Sequence, residues 1–210
     1  MELYYAIGSS SLFPHIVLHE AGLPFEPVKI DEHTKDIAGG GDYRSVNPLG
    51  TVPSLVLDDG TLITEGAVIA QYIADRVPEK RIAPPHGTME RVRLHSWLNF
   101  ISSDMHKGGF SPLFYKGMPE EGRDVFRARL KARFAHIDQH LAANTYLLGD
   151  TYSIADAHLY VVSNWASWTQ FDLSSYPSVL AFRERVGSRP AVIAALTTEG
   201  LVPWPASHPH

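Results

Sequence analysis

Thr51-Val-Pro-Ser-Leu-Val-Leu-Asp-Asp-Gly-Thr-Leu-Ile-Thr-Glu65-Gly66 is the stretch from which the rest of the chain is read. Two short apolar β-runs, Ser54–Leu57 and Thr61–Ile63, flank Asp58-Asp59-Gly60. An Asp-Gly pair between apolar runs is a strong local hairpin signal. Thr64-Glu65-Gly66 then opens a helical pattern in which Val68, Ile69, Tyr72 and Ile73 form one side. Proline cannot donate to a sheet ladder, so Pro53 belongs at the start of a strand or in the turn before it. A cis Val52-Pro53 bond would turn the Val52 backbone N–H and C=O outward, free to pair with an extended chain. Glu65 would face the same side and accept from an ammonium group. Together these parts make a clamp for a small peptide.

Composition bounds the alternatives. The chain has 210 residues, enough for one large or two small domains with a real core. Apolar residues make up 44% and charged residues 20%, as in an ordinary globular protein. A net charge of −5 argues against a polyanion-binding surface, so nucleic acid is not an expected partner. Met1-Glu-Leu-Tyr-Tyr5 lacks a basic leader, and no apolar run is long enough to span a membrane. A cytoplasmic, unanchored protein is the expectation. There is no cysteine, which excludes disulfides, thiolate metal sites, iron–sulfur clusters and a protein thiol nucleophile.

Along the chain, Leu3–Ala6 suits a buried strand. The serines 9–11 cap a helix that runs towards Gly22, and Phe25–Ile30 reads as a second strand. Asp31–Pro48, with three consecutive glycines, reads as a mobile loop holding at most a short helix. The order β-α-β-loop-β-β-α implies a right-handed crossover and a mixed sheet. Val77–Gly87 carries three prolines and reads as a linker. Beyond it no strand pattern occurs. Thr88–Lys107 is expected to be helical with Val92, Trp97, Leu98 and Ile101 inward. Pro119–Ala143 repeats Phe126, Leu130, Phe134, Ile137 and Leu141 at helical spacing. Ser153-Ile-Ala-Asp156 has capping-box spacing and opens an apolar helix through about Trp168, and two short helices follow. The expected architecture is an α/β domain at 1–78 with a mixed four-stranded sheet, a linker at 79–87 and an all-α domain at 88–210. His208-Pro-His210 reads as a loose tail rather than a metal site.

Two further segments carry candidate chemistry. Three serines between a strand and a helix N-terminus make a site for an anion or thiolate, or simply a cap. Asn99, Ser103 and His106 stand at i, i+4 and i+7, and so share a face if the helix is regular. His106 could polarise or deprotonate a thiol, and Lys107 could meet a carboxylate.

The series Val-Pro, strand, Asp-Gly turn, strand and Glu-Gly at a helix start resembles the glutathione-binding half of the thioredoxin-like domain in cytosolic glutathione S-transferases. Tyr4-Tyr5-Ala-Ile-Gly-Ser-Ser-Ser-Leu-Phe-Pro-His15 is similar to the opening of the bacterial beta class. Trp97-Leu-Asn99-Phe … His106-Lys107, Asn47-Pro-Leu-Gly-Thr51-Val-Pro53 and Thr198-Glu-Gly-Leu201 resemble that class as well. The class usually has cysteine where this chain has Ser10, so a mixed disulfide with glutathione is closed to it. The resemblance implies a glutathione transferase that joins glutathione to small hydrophobic electrophiles, acting as a homodimer. Its catalytic set would be Ser10, Ser11 and His106. Lys35, Thr51, Val52, Pro53, Glu65, Gly66, Asn99, Ser103 and Lys107 would bind glutathione. Tyr5, Phe110, Phe114, Tyr115 and Trp165 would wall the second-substrate pocket, with Trp168 a further aromatic candidate. Glutathione would be a co-substrate, and no metal or other cofactor is called for. The rival expectations are a non-catalytic ligand-binding or regulatory protein of the same fold, and a glutathione-dependent isomerase.

Overall fold

The structure is a computed structural model and describes residues 1–202. The expected His208–His210 tail lies outside them. The described residues divide into two compact units: Met1–Ile82 joined by 190–202, and Ala83–Arg189.

In the first unit, β1 (Glu2–Tyr5), β2 (Glu26–Lys29), β3 (Ser54–Val56) and β4 (Leu62–Thr64) form one sheet of order β2-β1-β3-β4. β1 and β2 are parallel, while β1–β3 and β3–β4 are antiparallel, which is the mixed sheet expected. Leu3 pairs with Leu55, and both are fully buried. Tyr4, Val28 and Val56 turn to the other face and pack with Ile30, Tyr43, Val46 and Val52. Helix α1 (Leu12–Ala21) packs against α2 (Gly66–Asp75), and it stops at Gly22, whose φ of 67° returns its N–H to the Leu18 and His19 carbonyls. The 31–48 region contains one short 3₁₀ turn, Tyr43–Ser45. On α2 the inward side is Ile69, Ala70, Ile73 and Ala74, and Val68, expected inward, is half exposed.

The regular elements described in the second unit are helices, and one isolated bridge joins Tyr146 to Gly149. α3 (Met89–Phe100) runs into a π-helical segment, Ile101–Phe110, then the single turn α4 (Ser111–Leu113). α5 (Glu120–Ala143), α6 (Ile154–Trp168) and α7 (Pro177–Gly187) follow. α3 buries Arg91, Leu94 and Leu98, so Val92 points outward, contrary to expectation. The displaced position belongs to Arg91, whose guanidinium donates to the Pro84 carbonyl at 3.0 Å. The box opening α6 is complete: the buried Asp156 carboxylate accepts from the Ser153 N–H (2.8 Å), the Ser153 hydroxyl (2.9 Å) and the Leu147 N–H (2.8 Å).

The π segment has a cause in the sequence. Pro112 has no N–H for the Gly108 carbonyl four residues back, and its ring would strike that carbonyl in a regular helix. The wider turn puts the Ser111 N–H on the His106 carbonyl, five residues back. Arg129 Nη1, from α5, donates to the orphaned Gly108 carbonyl at 3.1 Å. A Cβ on Gly109 would lie 2.6 Å from Leu130 Cδ2 and 2.9 Å from the Asp104 carbonyl, so a glycine is required there.

The last helix, α8 (Pro190–Thr198), departs from the expected all-α assignment of residues 88–210. It packs on α1 of the first unit. Glu199 explains this: its fully buried carboxylate accepts from the Gly8 N–H at 2.7 Å and meets His15 Nδ1 at 2.8 Å. The first unit also keeps residues to Ile82, inside the expected linker.

Candidate active site

The first unit gathers most of the expected peptide clamp. The Val52-Pro53 bond is cis. Tyr43 and Asn47 hold the turn in front of it. The Tyr43 hydroxyl donates to the Thr51 carbonyl (2.9 Å) and meets the Ser54 hydroxyl (2.6 Å). Asn47 Nδ2 donates to the same Thr51 carbonyl at 2.8 Å. Among the described residues, the Val52 N–H has no protein acceptor. Its carbonyl accepts the Ser10 hydroxyl at 3.2 Å, so it is not wholly free. That bond places Ser10 beside the Val-Pro turn, between β1 and α1.

The two serines differ sharply. Ser10 is half-buried, and its hydroxyl touches only the clamp. Ser11 is fully buried, and its Oγ accepts from the Ala6 N–H (3.1 Å), lies 3.2 Å from the Ala6 carbonyl and 2.8 Å from Ser9 Oγ. Ser11 therefore ties the end of β1 to the start of α1 and presents no hydroxyl outward.

Glu65 precedes α2 with φ 66°, a left-handed conformation costly for a residue with a side chain. It is exposed, and Gly66 behind it lies against Pro53, where a Cβ would sit 3.5 Å from the proline ring. The start of α2 and the Val-Pro turn are therefore adjacent, with the helix's unpaired N–H groups at that end. Lys35 also has positive φ, 70°, and its stem runs past Gly50 and Arg44. Thr51 is exposed.

In the second unit the candidates separate. Asn99 and Lys107 are exposed. Ser103 is exposed too, and its hydroxyl is turned back to the Asn99 carbonyl at 2.8 Å. His106 does not share their outward face, because the π turns rotate it inward against Trp165, ring centroids 4.7 Å apart. Burial, and secondarily Lys107, push the His106 imidazole down to about 4, so it is neutral at pH 7. The buried His158 behind it is pushed down to about 3, by burial and then by His106.

The aromatics fall into two groups. Phe114 and Tyr115 are 46% and 69% exposed and form an outward aromatic face, with the Phe114 ring 6.1 Å from Trp165. Trp168 is also half exposed. Phe110 is fully buried and Trp165 nearly so, 6.2 Å apart, and they support that face from beneath. Tyr5 is buried in the first unit against His15, which removes it from any pocket wall.

A mixed β2-β1-β3-β4 sheet with α1 and α2 packed together, followed by a helical unit, is a thioredoxin-like arrangement joined to an all-helical one. Comparison with known proteins agrees. The glutathione S-transferase N-terminal domain model matches residues 11–76, and the C-terminal domain model matches residues 103–199. Glutathione S-transferase GstA of Escherichia coli O157:H7 is 41% identical over 96% of this chain and its own full length. Glutathione S-transferase GST-4.5 of Xanthomonas campestris pv. campestris is 35% identical over 96% of this chain and its full length. The ternary complex of BphK, a bacterial GST, superposes with a TM-score of 0.93 at 50% identity, over 96% of this chain and all of that one. A bacterial beta-class enzyme from Sphingomonas chungbukensis superposes at 0.92 with 40% identity and the same coverage. This chain belongs to the glutathione S-transferase family.

Read from residues alone, Glu199 stands out only as part of the Thr198-Glu-Gly-Leu201 motif, and His158 and the arginines of α5 do not stand out at all. An acidic residue just past a C-terminal helix carries no signal of what it binds 191 positions earlier. Asn47 was visible as part of a motif, but its partner Tyr43 was not.

Proposed function

We infer that the protein is a glutathione transferase that conjugates reduced glutathione to small hydrophobic electrophiles. Its family membership supports the reaction class, and a second solved structure, a sphingomonad glutathione S-transferase 40% identical to this chain, is described in complex with glutathione. The observation that carries the reading is the Val52 N–H, which has no acceptor among the described residues, with Ser10 within hydrogen-bond reach of the same residue.

In this proposal the Val52 N–H pairs with the cysteinyl backbone of glutathione. Glu65 and the N–H groups at the start of α2 take the γ-glutamyl ammonium and carboxylate. Lys35 meets the glycyl carboxylate. Ser10 exchanges its weak bond to the Val52 carbonyl for one to the sulfur and donates to the thiolate. Ser11 sets the shape of that turn. A free thiol near pKa 8.5 is a few per cent ionised at neutral pH. Lowering it by about two units requires roughly 2.7 kcal/mol of preferential anion stabilisation, within reach of a hydroxyl and a helix N-terminus.

The resemblance gives Asn99 and Lys107 to the tripeptide and His106 to the sulfur. An imidazole held near 4 is too weak a base to keep a thiol proton. His106 then serves as a neutral N–H donor, and the proton leaves to solvent. Ser103, its hydroxyl bonded to Asn99, supports that residue. The resemblance also favours a homodimer, which analytical ultracentrifugation at working concentration tests directly. No described helix is long and apolar enough to cross a membrane.

The test is turnover of chlorodinitrobenzene with glutathione. Activity that falls on changing Ser10 or Glu65, with the fold intact, is the expected result. Tight glutathione binding without conjugation would favour the ligand-binding alternative instead.

A further inference from the structure

The segment after the π helix carries the exposed Phe114 and Tyr115, and it is held in an unusual way. A helix leaves its last carbonyls without partners. Here that end is followed by Gly117, which disfavours a helix, and Pro119, which has no N–H to continue one, and turn bonds of 3.2 Å link Phe114, Tyr115 and Met118 to residues three positions back. Arg123, on the first turn of α5, reaches back across this segment. Its Nη1 donates to the Leu113 carbonyl (2.5 Å), its Nη2 to the Tyr115 carbonyl (2.7 Å) and its Nε to the Met118 carbonyl (3.3 Å). Among the described residues, no other side chain donates to a carbonyl of residues 113–118.

The guanidinium is well placed for this and for little else. Its side chain is 22% exposed, and the nearest carboxylate, Glu120 Oε2, is 3.9 Å from Nε. The planar fork spreads its donors over three nitrogens in one rigid plane, whereas a lysine's three donors all radiate from a single nitrogen. The segment it fixes sets Phe114 6.1 Å from Trp165, and Trp165 is in turn 4.7 Å from His106. Where these three carbonyls are pinned thus bears directly on the spacing between the outward aromatic face and the half-buried His106 imidazole.

We propose that Arg123 is a positioning residue that determines second-substrate specificity, by holding the 113–118 segment so that Phe114 and Tyr115 present a flat wall to aromatic electrophiles. This rests on the reading of the aromatic face as the electrophile side of a glutathione transferase. Arg123 itself touches no substrate. Without it, the segment loses its side-chain anchor and the wall loses its fixed spacing, which affects flat aromatic electrophiles more than very small ones. Glutathione, bound by other residues, is unaffected.

The experiment compares wild type, Arg123→Met and Arg123→Lys by amide hydrogen exchange and by kinetics with chlorodinitrobenzene and iodomethane. In Arg123→Met, exchange across 113–118 is expected to quicken roughly tenfold while α3 is unchanged. The KM for chlorodinitrobenzene should rise about fivefold, with the KM for glutathione and the turnover of iodomethane preserved. Arg123→Lys should recover part of both. Unchanged exchange across 113–118 would overturn the positioning role. An equal loss with both electrophiles, or none with either, would overturn the specificity role. A wild type that conjugates neither compound would remove the transferase reading and the specificity claim with it, while exchange alone would still decide whether Arg123 holds the segment.

Discussion

Ser10 and Ser11 are adjacent and chemically identical, yet their surroundings give them different work. Ser11 is fully buried with its hydroxyl spent on Ala6 and Ser9. Ser10 is half-buried and faces the Val-Pro turn. Ser11→Ala strands a buried donor and acceptor and should cost about 1–3 kcal/mol of stability. Chemical denaturation reads this directly. Ser10→Ala should leave the midpoint nearly unchanged and lower kcat/KM by roughly ten- to a hundredfold. The converse pattern would exchange the two roles. The sequence alone left this choice open, because a one-residue shift in the start of α1 swaps the serines.

His106 gives a second test at this scale. Its imidazole is held near 4 by burial and then by Lys107, with the still more depressed His158 facing it from α6. An unfolded histidine titrates near 6.5, so between those values the unfolded chain binds more protons than the native one. Stability is therefore full above about 6.5 and is lost as pH falls towards 4, by on the order of 3 kcal/mol for this group. His106→Gln should make that acid limb shallower in a pH series of urea midpoints, leaving the share that the buried His158 contributes. A limb equally steep in the variant would mean that His106 contributes nothing to it.

At the scale of elements, the segment Ile101–Phe110 is the least regular helix in the chain and the one carrying the most candidate chemistry. Its ingredients, Gly108, Gly109 and Pro112, stood in the sequence, but an i, i+4, i+7 reading assumes one helical pitch throughout. The prolyl break widened the pitch, which turned His106 inward and left Ser103 outside. Gly109→Ala should cost about 1–3 kcal/mol, because its methyl meets both Leu130 and the Asp104 carbonyl. Thermal denaturation checks this, and an unchanged midpoint would show that α5 can yield at that contact. The better-behaved elements were legible for the opposite reason. α5 repeats Leu130, Phe134, Ile137 and Leu141 without interruption, and the Ser153–Asp156 box encloses its own hydrogen bonds.

Over the whole molecule, strands, helices and their order followed from periodicity and turn residues, whereas long-range closure did not. Glu199 is the clearest case: it joins α8 to the Gly8 turn and to His15 in the interior of the first unit. Composition placed that residue near the end of a helical domain, and only the fold reveals that the chain returns. Glu199→Gln keeps one acceptor and loses the charge, so it should lower stability by about 1–3 kcal/mol and loosen the turn that carries Ser10. Amide exchange at residues 8–11 measures the second effect. Protection that matches wild type there would confine Glu199 to anchoring α8.

The central claim is that the clamp does more than bind glutathione, because it also stabilises its thiolate. The most direct measurement is an ultraviolet difference titration of bound glutathione between about pH 5 and 9, spanning the region below the free-thiol pKa of about 8.5. Thiolate absorbance that rises about two units below that value, and returns towards it in Ser10→Ala, is the predicted result. Glutathione bound with its thiol still titrating near 8.5 would contradict the account and leave a binding protein on a transferase fold.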